Sequence, residues 1–222
     1  MGIFITFEGP DGSGKTTQIE LLADYLQADG FEVLTTREPG GTCIGDQVRS
    51  VLHNVTNTAM VSEAEILLYS ASRAQLVGQL IRPALVRGTV VLCDRYADST
   101  IAYQGYGRGL DLAALRQITA FATGGLTPDL TIYLDCPVEE GLNRKQRALA
   151  LGEGEWNRLD QEPVKFHRRV RQGYLALAAA EPDRWLVLDA VRSIEEIQRE
   201  IREAVTSVLE RKKVPKTFEA KA

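Results

Sequence analysis

The stretch that decides the fold is FITFEGPDGSGKTT, at residues 4–17. The apolar run at residues 3–7 predicts a buried parallel strand, and the pattern G-x-x-x-x-G-K-T follows it at residues 9–16. Apolar residues at helical spacing, from Ile19 to Leu26, predict a helix directly after the loop. This order of strand, glycine-rich loop and helix indicates a binding site for the phosphates of a nucleoside triphosphate.

Each part of this loop has a role in phosphate binding. Glycines let the backbone approach a phosphate closely, so that N–H groups point at the anion, and the N-terminus of the helix adds a favourable dipole. Lys15 is expected at the β- and γ-phosphates, and the Thr16 hydroxyl at a Mg²⁺ ion. The residues predicted to hold the triphosphate are Gly9, Pro10, Asp11, Gly12, Ser13, Gly14, Lys15, Thr16 and Thr17.

Composition limits the class of protein. A chain of 222 residues, 44% hydrophobic and 25% charged, is long enough for one α/β domain with a full core. The net charge of −4 argues against a nucleic-acid binder, which would usually be basic. No apolar run approaches the roughly 18 residues of a membrane-spanning helix. Three cysteines without paired spacing, and no signal peptide, predict a cytoplasmic protein.

The chain order predicts the architecture. Strand patterns at residues 31–36, 89–94, 130–135 and 185–189 alternate with helical ones, and no hairpin signal occurs. This alternation predicts an α/β fold with a five-stranded parallel sheet that helices cover on both faces. We expect a single domain over residues 1–210 and a frayed polar tail over residues 211–222.

Two local patterns refine this outline. Ser62 and Glu65 predict a capping box at the start of a long helix, which Pro83 is expected to interrupt. Residues 144–158 combine glycine with several basic side chains, which predicts a small mobile lid inserted before the fifth strand.

The residues at the end of the third strand indicate which class of nucleotide-binding protein this is. GTPases carry an N-K-x-D motif that is missing here, and motor ATPases end an apolar strand in Asp-Glu, whereas this strand ends in Asp94-Arg95. The Asp94 carboxylate can hold Mg²⁺ or its waters, and the Arg95 guanidinium can bind a phosphate through two hydrogen bonds. Beside a phosphate-binding loop, this pair favours phosphoryl transfer to a small acceptor.

Taken together, the motifs resemble the thymidylate kinase family from Ile3 to about Glu210. The matching stretches are FEGPDGSGKTT at 7–17, REPGGT at 37–42, DRYADSTIAYQG at 94–105 and PDLTIYLD at 128–135. The resemblance implies a P-loop nucleoside-monophosphate kinase fold and transfer of the γ-phosphoryl group of ATP to dTMP, giving dTDP on the route to dTTP. It further implies Mg²⁺ as cofactor and a homodimer as assembly.

The resemblance also implies a binding site for dTMP. Arg37 and Arg95 would clamp its phosphate, Arg73 would donate to a thymine carbonyl, and Tyr69 would stack on the base. Tyr69 and Arg73 are four residues apart, so a helix would present both on one face. The family pattern further places Asp11, Thr100, Tyr103 and Gln104 around the sugar and base, and Thr16 and Asp94 at the metal.

The family includes two kinds of enzyme, which differ in where a catalytic cation lies. One kind has a basic residue in the phosphate loop, and the other has glycine there and arginines in the lid. Gly12 makes this chain resemble the second, bacterial kind. The residues implied as catalytic are Lys15, Arg95, Arg147 and Arg158, with Arg144 packing on adenine. Because the segment between Arg147 and Arg158 is longer and less basic than the family pattern, the arginine that reaches the phosphates stays open.

Two other functions share parts of this pattern. A deoxynucleoside kinase also has a phosphate loop and a strand-end arginine, but it must deprotonate a sugar hydroxyl, and a phosphate clamp at Arg37 argues against it. A nucleotide switch would hydrolyse ATP slowly and signal through the position of its lid. Only the response to different acceptors separates these three functions.

Overall fold

The computed structural model describes residues 1–152 and 154–216. Its five strands form one sheet in the order β2-β3-β1-β4-β5, and every neighbouring pair is parallel. The prediction of a five-stranded parallel sheet is therefore confirmed. The strands are β1 (Phe4–Glu8), β2 (Val33–Arg37), β3 (Val90–Asp94), β4 (Leu130–Asp135) and β5 (Trp185–Asp189).

The helices lie between the strands, as the sequence pattern predicts. Two π-helical turns, Val77–Ile81 and Ile101–Gly107, continue α3 and α5, and a 3₁₀ turn at Arg158–Gln161 precedes α8. The α-helices are α1 (Lys15–Ala28), α2 (Cys43–His53), α3 (Ser62–Leu76), α4 (Arg82–Arg87), α5 (Ala97–Thr100), α6 (Leu112–Thr123), α7 (Val138–Ala150), α8 (Val164–Ala180) and α9 (Ile194–Lys212).

Alternate residues of the central strand β1 enter two different cores. Ile5 and Phe7 pack with α1 and α9, while Phe4 packs on the other face with α3, α4 and β3. This follows from the two-residue period of a strand, and it confirms that helices cover both faces. Burial on both sides explains why the strand reads as a continuous apolar run. It also fixes the position of the loop that follows β1.

The capping box predicted at the start of α3 is wrong. Ser62 is already inside the helix, its N-cap is Val61, and no side chain caps the end. The Glu65 carboxylate instead accepts hydrogen bonds from Gln104 and Arg108. The prediction that Pro83 interrupts the helix is confirmed, because a π-helical turn at Val77–Ile81 separates α3 from α4 just before it. Pro83 lies in the first turn of α4, where a proline N–H is not required, and Gly88 ends the helical stretch.

The chain beyond residue 210 is more ordered than predicted. Helix α9 continues to Lys212, Val214 is buried against the main core, and Lys216 Nζ lies 2.7 Å from Asp29 Oδ1. The prediction of a frayed tail is therefore wrong for residues 211–216, because one apolar side chain two residues past the helix is buried. Residues 217–222 lie outside the described part of the chain. Within that described part, no helix is long and apolar enough to cross a membrane.

Candidate active site

A cavity of about 700 Å³ opens at the carboxyl ends of β1 to β4, the edge at which parallel α/β sheets bind ligands. Most of the site residues predicted from the sequence lie in the wall of this cavity, although they come from five separate segments of the chain. The nominated residues that line it are Pro10, Asp11, Gly12, Gly14, Lys15, Thr16, Thr17, Arg37, Tyr69, Arg73, Asp94, Arg95, Thr100, Tyr103, Gln104 and Arg144.

The loop after β1 depends on glycine at two points. Gly9 and Gly12 have φ angles of 143° and 79°, which side chains rarely allow. A Cβ atom at Gly12 would also lie 2.4 Å from the Gly141 carbonyl oxygen, so α7 packs directly on the loop. Lys15 folds back over this loop, and its Nζ donates to the carbonyl oxygens of Gly9 at 3.1 Å and Pro10 at 3.0 Å. Burial, together with the nearby charge of Arg95, lowers the pKa of Lys15.

Three cations meet at the carboxylate of Asp11. Arg95 Nη2 lies 2.7 Å from Oδ1, Lys15 Nζ lies 4.0 Å from Oδ1, and Lys145 Nζ lies 2.5 Å from Oδ2. Burial opposes ionisation of Asp11, but Arg95, Lys15 and Lys145 together hold its pKa well below the usual range. Asp11 therefore stays ionised, and it draws cations from the loop, from the end of β3 and from α7 to one point.

The backbone after β3 directs Arg95 into the cavity. Its φ angle of 68° is in the left-handed region, which is strained for a residue other than glycine. The strain persists because the Arg95 N–H donates to the Phe7 carbonyl oxygen at 2.9 Å. The guanidinium carbon lies 5.2 Å from the centre of the Tyr103 ring, a cation–π distance, and Nη1 donates to the Tyr174 hydroxyl at 3.3 Å. Arg37, by contrast, is about half exposed, and its Nη2 lies 3.3 Å from Asp46 Oδ1.

At the other end of the cavity, Arg73 is almost completely buried. Its Nε and Nη2 donate to Glu38 Oε2 at 2.8 and 2.7 Å, and its Nη1 donates to the Thr100 hydroxyl at 2.9 Å. Burial raises the pKa of Glu38, and the charge of Arg73 opposes this rise. Tyr69 lies one turn earlier on α3, and Gln104 Nε2 donates to Glu65 Oε1 at 2.8 Å. An aromatic ring and several hydrogen-bonding side chains therefore line one compartment.

The basic residues of the expected lid separate into three groups. Residues 144–150 belong to α7 rather than to a loop, and Arg144 Nη1 donates to the Ala190 carbonyl oxygen at 3.0 Å in the cavity wall. Arg147 is exposed and does not line the cavity. Arg158 is buried and bonded to the Glu65 carboxylate, and it does not line the cavity. Neither of the two predicted lid arginines therefore lies beside Lys15, whereas Lys145 does.

Two oxygen atoms in the cavity fit a hard divalent cation. Asp94 Oδ1 is buried without a hydrogen-bond partner, and the Thr16 hydroxyl lies in the wall of the same cavity. Mg²⁺ prefers such oxygen ligands and usually keeps waters and substrate phosphates as the others. Among the described residues there is no group of three or more acidic, histidine or cysteine side chains that could hold a metal. The protein therefore offers a partial site that nucleotide phosphates would complete.

Sequence reasoning missed a buried carboxylate at the end of β1. Glu8 accepts hydrogen bonds from the Tyr96 N–H at 2.9 Å, the Ser99 hydroxyl at 2.6 Å and the Tyr174 hydroxyl at 2.8 Å. It thereby ties β1 to the loop that carries Arg95. Burial, with repulsion from Asp98, raises the pKa of Glu8 to about 7. The sequence feature that could have indicated this role is the single charged residue at the end of an otherwise apolar strand.

The raised pKa of Glu8 gives a test by pH. Between pH 4.5 and 7 the folded protein keeps a proton that the unfolded chain releases, so the contribution of Glu8 to stability falls as the pH rises. A shift from 4.5 to about 7 corresponds to about 3 kcal/mol. Glu8→Gln cannot ionise, so its stability relative to the original protein should increase by about 2–3 kcal/mol between pH 5 and pH 8. Urea unfolding at both pH values measures the free energy of unfolding of the two proteins. The same difference between Glu8→Gln and the original protein at pH 5 and pH 8 would contradict the prediction.

Comparisons with known proteins show the family to which the chain belongs. The family model described as thymidylate kinase matches residues 7–201. The thymidylate kinase of Roseiflexus sp. (strain RS-1) is 56% identical over 208 residues, which cover 90% of this chain and 92% of the relative. The thymidylate kinase of Deinococcus radiodurans is 57% identical over 207 residues, covering 92% and 97%. A crystal structure of thymidylate kinase from Ehrlichia chaffeensis has a TM-score of 0.72 and 34% identity, covering 92% of this chain and 98% of that one. The chain belongs to the thymidylate kinase family.

Proposed function

We propose that the cavity binds ATP and dTMP end to end and transfers the γ-phosphoryl group of ATP to the dTMP phosphate, giving ADP and dTDP. Lys15 and the amides of the loop at residues 9–17 hold the ATP phosphates. Arg95 and Arg37 bind the phosphate of dTMP, and Arg144 lies where adenine packs. The thymidine compartment is formed by Asp11, Tyr69, Arg73, Thr100, Tyr103 and Gln104.

The observation that carries this proposal is the meeting of Lys15 and Arg95 at Asp11. One cation belongs to a loop that is built for a triphosphate, and the other belongs to a separate strand end. Two phosphate-binding groups at one point fit a donor and an acceptor that react in line. No general base is required, because a phosphate acceptor is already ionised. Catalysis then depends on positioning and on neutralising the charge of the transferred group.

An assay with different acceptors tests the reaction. ADP release from Mg·ATP is measured with dTMP, dUMP, UMP, AMP, thymidine or no acceptor. We expect rapid release with dTMP and background release with thymidine or no acceptor. Turnover with thymidine but not dTMP would instead indicate a nucleoside kinase. Equal release without any acceptor would indicate a nucleotide switch.

We also propose that Mg²⁺ is the cofactor and that Asp94 and Thr16 hold it, directly or through water. The ion would neutralise phosphate charge when bound. Asp94→Asn keeps the shape of the side chain but removes its charge. It should raise the Mg²⁺ concentration for half-maximal activity by about 10–100-fold. Titration with Mg²⁺ measures this, and the exposed Asp24→Asn on α1 is the matched control. An unchanged midpoint in Asp94→Asn would contradict the metal site.

The assembly is a further proposal, namely that two copies pair through α2, α3 and α6. Val51, Leu67 and Phe121 on these helices expose large apolar side chains, with 91% of Phe121 accessible. Exposed apolar residues on packed neighbouring helices are typical of an interface between subunits. Light scattering should therefore give twice the mass of 24.5 kDa. We further propose that the single domain predicted over residues 1–210 extends to residue 216, since Val214 belongs to its core. We also propose a cytoplasmic location, where buried thiols such as Cys93 and Cys136 stay reduced.

A further inference from the structure

The charged groups between the phosphate loop and α7 include one cation that neither the sequence motifs nor the family resemblance assigns. Lys145 is buried on α7, and it lines the cavity. Its Nζ lies 2.5 Å from Asp11 Oδ2 and 2.5 Å from Asp160 Oδ2. Resting on the proposed function above, we propose that Lys145 is the cation from the lid region that contacts the transferred phosphoryl group.

The position of Lys145 favours this role over a purely structural one. An ammonium group has three donor hydrogens, and two carboxylates engage two of them, so one donor remains for a ligand. The same Asp11 carboxylate also contacts Lys15 and Arg95. Counting these side chains, three positive charges face the two negative charges of Asp11 and Asp160. The Asp94 carboxylate also acts on Lys15 and Arg95, so these side chains balance in charge. Lys145 then supplies a charged donor where the transition state places negative charge on phosphoryl oxygens.

The segment after α7 is arranged to hold Lys145 in place. Asp160 Oδ2 also accepts the Asn157 N–H at 2.7 Å, and Asn157 Oδ1 accepts the Leu159 N–H at 2.9 Å. These bonds form a capping box on the 3₁₀ turn, which fixes the carboxylate that grips Lys145. Asp160 is thus a positioning residue that acts through Lys145.

Arg158 takes a different role in the same segment. Its guanidinium is buried on the Glu65 carboxylate, and that carboxylate also binds Gln104 and Arg108. A side chain committed to this buried ion pair anchors the segment to α3. Arg158 and Lys145 therefore have different roles. Arg158 holds the segment against α3, and Lys145 faces the phosphates. Lys145 acts by contact alone, and no covalent bond forms to its nitrogen.

The first experiment measures steady-state kinetics of Lys145→Met and Lys145→Arg with Mg·ATP and dTMP. Loss of one preorganised donor should lower kcat by about 10²–10³-fold in Lys145→Met. The KM for dTMP should change little, since the lost contact is to the γ-phosphoryl group. Lys145→Arg keeps the charge, so its kcat should be at least about tenfold higher than that of Lys145→Met. Lys165→Met, an exposed lysine of α8 outside the cavity, is the matched control.

A double variant separates catalysis from charge balance. Lys145→Met alone leaves two acids facing each other, which is expected to destabilise the fold. Lys145→Met with Asp160→Asn removes one of these charges, so its thermal midpoint should rise back toward the original while kcat stays low. Recovery of kcat in the double variant, or full activity in Lys145→Met, would overturn the proposal. If the unaltered protein showed no dTMP-dependent ADP release, that result would instead reject the proposed function.

Discussion

Lys15→Met is expected to lower kcat by about 10³-fold and to leave the fold intact. Among residues 1–152 and 154–216, the hydrogen bonds of Lys15 Nζ go only to carbonyl oxygens of its own loop, and Nζ approaches Asp11 at 4.0 Å. Methionine keeps the apolar stem of this buried side chain, so packing changes little. The lost charge, however, is one that a triphosphate requires during transfer of its terminal group.

Single-turnover ADP formation at saturating ATP and dTMP measures this effect, and circular dichroism checks the fold. Lys165→Met, which removes a lysine charge from the surface of α8, should retain the original rate. An unchanged rate in Lys15→Met, with the protein folded, would mean that the loop after β1 does not hold the reacting phosphates.

Arg73→Met is expected to affect stability and dTMP binding together. It leaves the Glu38 carboxylate buried without its partner, which typically costs about 3–5 kcal/mol of stability. It also removes a charged donor beside the proposed thymine position, and such a hydrogen bond contributes about 1.5–3 kcal/mol. The KM for dTMP should therefore rise by about 10–100-fold, while the KM for ATP stays close to the original value.

A second substitution separates the two effects of Arg73→Met. Glu38→Gln in the same chain removes the unpaired charge, so the thermal midpoint should recover in large part. The KM for dTMP should remain high, since the guanidinium is still missing. If both KM values rose equally in this folded double variant, Arg73 would not belong to the thymine compartment.

Much of the fold followed from the sequence, since β1, β3 and β4 are buried on both faces and therefore read as largely apolar runs. The loop at residues 9–16 and the strand-end pair Asp94-Arg95 are local patterns with a fixed geometry, and they led to one cavity. Ser62 and Glu65 show where such local reasoning fails. Their spacing fits a capping box, but Glu65 is engaged by donors from Gln104 and Arg108, about 40 residues away.

The lid cation shows the same limit for the site. The resemblance implied Arg147 and Arg158 as catalytic residues and left Lys145 of the same basic segment without a role. Helix α7 runs through residue 150, and its phase turns Lys145 inward and Arg147 outward. The buried partner of Arg158 comes from α3, far away in the chain. Contacts between distant segments, rather than residue type, decide which cation faces the phosphates.

The most direct test uses a bisubstrate ligand in which a chain of phosphates joins adenosine to thymidine. A cavity that holds ATP and dTMP end to end should bind this ligand across both compartments, with its phosphates at Lys15 and Arg95. Steady-state inhibition is measured while ATP and dTMP are varied separately. Competition with both substrates is the predicted result. Competition with ATP but not with dTMP would show that the acceptor binds elsewhere and would contradict the end-to-end arrangement.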